Sequence, residues 1–209
     1  MGAVALFGGS FDPVHLGHVN AVKSLIRGFP EIERVIIMPA FLNPFKAREI
    51  SGASPMQRVE MCRIAFKDML KCEVRDFEAK RKSPSYTYVT LRALKEEFPG
   101  KEIILAVGSD SLESLPGWKN AEEILANAVI AAAARSEADN ACGGGISRYA
   151  EEIRRLGGDV RIIPTTPFEI SSTEIRKKIL KNEDLTCYMD KNVVEYIIGN
   201  KIYRGENRS

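Results

Sequence analysis

The chain has two histidines in 209 residues, and they stand three positions apart in Gly8-Gly9-Ser10-Phe11-Asp12-Pro13-Val14-His15-Leu16-Gly17-His18. An apolar run, Ala3–Phe7, leads into this segment. Gly8 and Gly9 carry no Cβ, so backbone there can approach a ligand closely. Asp12-Pro13 sets a turn, and the residues after it can enter a helix. In a first helical turn, positions 15 and 18 share a face, and Gly17 leaves room beside it. Two imidazoles would then point at one anion, at a helix end whose dipole already favours negative charge. Neither GxxxxGK[ST] nor GxGxxG is present in the chain, which excludes the P-loop and the dinucleotide-binding fingerprint.

A second segment with phosphate chemistry lies near the other end: Ile170-Ser171-Ser172-Thr173-Glu174-Ile175-Arg176. Ser171 followed three residues later by Glu174 reads as a capping box opening a helix. Arg176 is not needed for that cap. Its guanidinium can reach over the helix start, where the N–H groups and hydroxyls of Ser172 and Thr173 point outward. Backbone donors, hydroxyls and a forked cation make a polyphosphate clamp.

Short apolar runs alternate with helical periodicities in the sequence that must position these groups. Strands are predicted at Ala3–Phe7, Arg34–Met38, Glu73–Phe77, Ile103–Val107, Ala128–Ala133 and Val160–Ile163. Helices are predicted at Leu16–Gly28, Pro55–Met69, Thr87–Phe98, Ala121–Ala126, Ser147–Leu156, Ser172–Leu180 and Lys191–Ile198. Runs such as RVIIM and EIILAV are apolar throughout, as strands covered on both faces require. The expected fold is α/β: a Rossmann-like, doubly wound, mostly parallel sheet of about six strands with helices on both faces. Residues 1–209 are expected to form one domain, with the helices from about residue 171 packing on the sheet. Ligands of such sheets sit beyond the carboxyl ends of the strands, where strand order reverses.

The net charge of +2 argues against a general nucleic-acid or membrane-surface binder. The four cysteines form no CxxC pair and no zinc-ligand spacing. The amino end lacks the basic region of a signal peptide, and no stretch reaches the ~18 apolar residues of a membrane span. These features lead to the expectation of a cytoplasmic protein.

The HxGH element in GGSFDPVHLGH, together with ISSTEIR some 160 residues later, resembles the nucleotidyltransferase superfamily with a Rossmann-like fold. Its Ser-Phe-Asp-Pro form is most similar to bacterial nicotinate-nucleotide adenylyltransferases. Three further stretches are similar to that family. In MPAFLNPFK (38–46), the resemblance makes Lys46 a phosphate contact. PSYTYVT (84–90) matches a mononucleotide-lining motif through Ser85, Tyr86 and Thr87, but has Val89 where the family has aspartate. VGSDSLESLPGW (107–118) supplies Asp110, near a ribose or adenine group, and Trp118, whose ring can lie against a pyridine. Arg135 ends the fifth strand where the family has Arg-Pro-Gly, and here Ser136-Glu137 follows instead.

The resemblance implies that ATP and nicotinate mononucleotide are converted to deamido-NAD and pyrophosphate, with Mg²⁺ accompanying the ATP. The attacking phosphate is already ionised, so alignment and charge neutralisation suffice. The expected catalytic groups are His18 on the α-phosphate, His15 orienting the triphosphate, and Arg176 on the departing pyrophosphate. Gly8, Gly9, Ser10, Phe11, Gly17, Ile170, Ser172 and Thr173 complete the expected ATP site. Lys46, Ser85, Tyr86, Thr87, Asp110, Trp118 and Arg135 make up the expected mononucleotide site. No metal ligand is expected from the protein, and neither nucleic acid nor membrane is an expected partner. Nicotinamide mononucleotide or phosphopantetheine as acceptor, and a non-catalytic nucleotide sensor, are the alternative readings.

Overall fold

A computed structural model of the chain describes residues 2–42, 52–133, 145–165, 168 and 170–204. Its strands are β1 (Ala3–Gly9), β2 (Ile32–Pro39), β3 (Cys72–Val74), β4 (Glu102–Gly108), β5 (Val129–Ala133) and β6 (Val160–Ile163). They form a six-stranded sheet in the order β3-β2-β1-β4-β5-β6, and every adjacent pair is parallel. The described helices are α1 (Leu16–Gly28), α2 (Pro55–Phe66), α3 (Phe77–Lys80), α4 (Thr87–Glu97), α5 (Ser109–Ser114), α6 (Ala121–Asn127), α7 (Gly145–Arg155), α8 (Ser172–Leu180) and α9 (Lys191–Gly199).

The apolar strands are apolar throughout because both sheet faces are covered. Alternate residues of one strand point to opposite faces. Ala3 and Ala5 of β1, with Val35, Ile37, Ile104 and Ala131, meet Val22, Leu25, Met61, Ile175, Val193 and Ile197 from α1, α2, α8 and α9. Val4 and Leu6, with Ile36, Ile103, Leu105 and Ile130, meet Leu91, Leu112, Ile124 and Ile153 from α4, α5, α6 and α7. Helices on both faces of a sheet with reversing strand order make the doubly wound architecture.

The reversal falls between β1 and β4. β1 pairs with β2 as far as Gly9↔Pro39, but its register with β4 ends at Phe7↔Ala106. The last residues of β4 continue instead with β5, to Gly108↔Ala133. The two central strands therefore part at their carboxyl ends and open a crevice.

Two elements depart from the pattern read in the sequence. The third strand covers Cys72–Val74 rather than Glu73–Phe77, because Phe77 begins the short helix α3. Ser109–Ser114, to which the sequence reading assigned no element, is α5, followed by a 3₁₀ turn at Leu115–Gly117. Both are short segments shaped by tertiary contacts, for which periodicity carries little signal.

Candidate active site

The crevice between β1 and β4 widens into a cleft of about 410 Å³. Its floor is the turn after β1. Phe11 is buried yet holds φ = 48°, a region that bulky residues rarely enter. Its ring lies 5.0 Å, edge to face, from the His18 ring and 5.6 Å from Phe7, so core packing holds a strained residue that props the imidazole. The Asp12-Pro13 peptide that follows is cis.

His15 is the N-cap of α1, and the two imidazoles lie against each other, tilted by 40°, with centroids 3.8 Å apart. The His15 backbone N–H donates to His18 Nδ1 at 3.1 Å. With Nδ1 accepting, a neutral His18 ring carries its proton on Nε2. Gly17 is sterically required between them: a Cβ there would come within 2.9 Å of the His15 ring. Gly8 is different, since a Cβ would meet only Met38 O at 3.9 Å, so the protein itself does not exclude a side chain there.

The ISSTEIR segment docks directly on this turn. Ser171 caps α8, accepting from Glu174 N–H, while the Glu174 carboxylate accepts from Ser171 N–H at 2.8 Å. One residue on, Ser172 Oγ donates to Pro13 O at 2.9 Å. Arg176 Nη1 donates to Asp12 O at 2.6 Å, and Nη2 to Thr173 Oγ1 at 3.1 Å. The amino ends of α1 and α8 thus open on the same cleft, whose lining includes His15, Gly17, His18, Ser171, Ser172, Thr173 and Arg176. Two helix N-termini, two imidazoles and a guanidinium make an anion site for several phosphate oxygens.

The opposite wall is built from the loops after β2 and before α4. Phe41 N–H donates to Ser85 Oγ at 3.0 Å, and Ser85 N–H to Leu42 O at 2.9 Å. Tyr86 and Thr87 open α4 and line the cleft with Ser85. Trp118 serves two purposes: it packs against the core on the α4–α7 side and also lines the cleft. Its indole N–H donates to Ser114 Oγ at 3.1 Å.

Gly8, Gly9, Ser10, Phe11, His15, Gly17, His18, Ile170, Ser172, Thr173 and Arg176 all line this one cleft, as do Ser85, Tyr86, Thr87 and Trp118. Asp110 does not: it is exposed in the first turn of α5, and Ser111 lines the cleft instead. The short helix turns the residue after Ser109 away from the strand end. Lys46 and Arg135 lie outside the described residues. Val89 does not line the cleft either; it sits half-buried in the first turn of α4.

Four charged residues that the sequence reading did not assign to the ligand site line the cleft: Asp12, Arg58, Glu78 and Lys119. Arg58 is 3% exposed, and burial lowers the pKa of its guanidinium despite the nearby Asp12 charge. It donates to Ser10 O at 2.5 Å and to Phe41 O at 3.0 Å, tying together the loops after β1 and β2. Its signal in the sequence was a cation on the apolar face of α2, in line with Met61, Cys62 and Phe66. Glu78 is buried and accepts from Thr90 Oγ1 at 2.5 Å. Burial raises its pKa, while hydrogen bonds to Thr90 and Ser85 oppose the rise. Lys119 Nζ lies 4.6 Å from the Tyr86 ring centroid, a cation–π distance.

Among the described residues, no group of three or more His, Cys, Asp or Glu could hold a metal ion. No described helix is long and apolar enough to cross a membrane.

The cytidylyltransferase-like family profile matches residues 6–178. A probable nicotinate-nucleotide adenylyltransferase of Caldicellulosiruptor saccharolyticus is 34% identical over 202 residues, covering 96% of this chain and 98% of the relative. One from Roseiflexus castenholzii is 34% identical over 203 residues, covering 97% and 98%. Among solved structures, the Plasmodium falciparum nicotinic acid mononucleotide adenylyltransferase complexed with NaAD superposes with a TM-score of 0.77 at 20% identity, covering 97% of this chain and 98% of that one.

Proposed function

Since the chain belongs to the cytidylyltransferase-like family, with nicotinate-nucleotide adenylyltransferases as relatives over nearly its whole length, we propose that it transfers the adenylyl group of ATP to nicotinate mononucleotide, giving deamido-NAD and pyrophosphate. The observation that carries this reading is the docking of Ser172 on Pro13 and of Arg176 on Asp12. It brings the histidine pair and the late guanidinium to one cleft, although some 160 residues separate them in the chain.

The nucleotide's triphosphate lies over the amino ends of α1 and α8. His18 donates from Nε2 to the α-phosphate as negative charge builds up there; His15 orients the chain of phosphates. Ser172, Thr173 and Arg176 hold the part that leaves as pyrophosphate. The mononucleotide lies toward Ser85, Tyr86, Thr87 and Trp118, so that its phosphate attacks the α-phosphorus in line with the departing group. No general base is required, because the attacking oxygen is already ionised. Lys119 adds positive charge beside Trp118 and Tyr86, which suits an acceptor bearing a carboxylate rather than an amide. Lys46 and Arg135 belong to this proposal only as sequence-derived contacts.

Beside the cations Arg58, Lys119 and Arg176, the cleft is lined by two carboxylates, Asp12, which already accepts from Tyr203, and Glu78, which accepts from Thr90. This set does not suit a resident metal site. Mg²⁺ would accompany ATP on its phosphates and keep much of its water. The proposed setting is the cytoplasm.

The test is to mix the protein with MgATP and, in parallel, nicotinate mononucleotide, nicotinamide mononucleotide or phosphopantetheine, and to follow dinucleotide and pyrophosphate. Dinucleotide from the nicotinate substrate in preference to the others is expected. His18→Ala should lower kcat by about 10²–10³-fold with a smaller change in KM, the loss expected when one transition-state donor is removed. ATP binding with no pyrophosphate from any acceptor would favour the sensor reading instead.

A further inference from the structure

Residues after α9 return to the floor of the cleft. Tyr203 is 8% exposed, and its hydroxyl donates to Asp12 Oδ1 at 2.6 Å. It does not line the cleft. Burial, then the Asp12 charge, raises the pKa of its phenol, so the O–H remains a donor. Lys201 and Tyr203 hold φ of 52° and 63°, a left-handed turn uncommon for side chains of this size. The buried Ile202 between them anchors the turn. The ring also occupies the space where a Cβ on Gly52 would stand.

The other carboxylate oxygen of Asp12 faces the phosphate clamp. Arg176 Nη1, already donating to Asp12 O, lies 3.9 Å from Asp12 Oδ2. A swing of about 1 Å would convert that separation into a charge-assisted hydrogen bond. In so enclosed a place such a pair would compete with a triphosphate for the same guanidinium.

We propose that Tyr203 is a positioning residue for nucleotide binding: by holding Asp12 Oδ1 it keeps the Asp12 carboxylate from closing on Arg176, so that the guanidinium serves the phosphates. The proposal rests on the nucleotide-binding reading above. It assigns the C-terminal turn a role at the site without any contact to substrate.

Calorimetry with a non-hydrolysable MgATP analogue tests it without requiring turnover. Tyr203→Phe should weaken analogue binding about five- to tenfold, the weight of one net hydrogen bond, and leave the KM for nicotinate mononucleotide unchanged. In an Asp12→Asn background no carboxylate remains to compete, so adding Tyr203→Phe should change analogue affinity less than about twofold, a coupling that a double-mutant cycle isolates. Should Tyr203→Phe fail to fold, Asp12→Asn alone, which leaves no carboxylate to close on Arg176, should bind the analogue at least as tightly as the wild type, and weaker binding by it would overturn the proposal. An undiminished loss in the Asp12→Asn background, equal weakening of both substrates, or wild-type analogue affinity in Tyr203→Phe would overturn the proposal. Absence of analogue binding by the wild type would instead remove the nucleotide reading, and this inference with it.

Discussion

His18 and Glu78 show how differently one side chain can be tied to its surroundings. His18 is set by local geometry: the N–H of His15, three residues back, defines which ring nitrogen accepts. Glu78 depends on residues from other elements, Thr90 of α4 and Ser85 of the preceding loop. Burial raises its carboxyl above the ordinary value of 4.5. A raised acid binds more protons in the folded than in the unfolded state between the two values. Its stabilising contribution is therefore complete below the unfolded value and is lost as pH rises through the folded one. Glu78→Gln removes this dependence, so the variant should gain on the wild type in urea midpoints as pH climbs from about 4 toward neutrality. Parallel pH profiles for the two proteins would show that Glu78 is not held in this way.

At the scale of elements, the cleft depends on loops being tied together across the sheet edge. Arg58 of α2 joins the loop after β1 to the loop after β2 through two carbonyls. Phe41 passes the connection on through its N–H to Ser85. Arg58→Leu keeps the apolar stem but leaves those carbonyls without their charged donor. We expect a stability loss of about 2–3 kcal/mol in chemical denaturation, with a fall in kcat/KM as the walls of the cleft lose their tie. Arg58→Lys should recover only part of this, since one ammonium lacks the fork that reaches both oxygens. A wild-type unfolding midpoint in Arg58→Leu would refute the bridging role.

Over the whole molecule, the last helix, α9, packs on α2, which in turn covers β2 and β3. Ile197 of α9 is 1% exposed in the same cluster as Ala3, Ala5 and Ile37. Ile197→Ala should cost about 2–5 kcal/mol, the usual range for truncating a well-packed isoleucine. Because α9 leads directly to the turn carrying Tyr203, nucleotide affinity should fall along with thermal stability. A stability loss under 1 kcal/mol would mean that α9 is only loosely applied to α2.

The β1 run, the histidine spacing after it and the Ser171–Glu174 cap were legible in the chain, because each is a local pattern with its own physical cause. Alternating apolar runs and helical periods likewise implied a parallel sheet covered on both faces. Other features depend on residues far apart in sequence, and no local pattern encodes them. They include the parting of β1 from β4, the placing of Asp110 outside the cleft, the Arg58 tie between two loops, and the Tyr203 hydroxyl on Asp12, 191 positions away. Backbone propensity and periodicity act over a turn or a strand; a buried charge finds its partner only when the packed chain has excluded water around both.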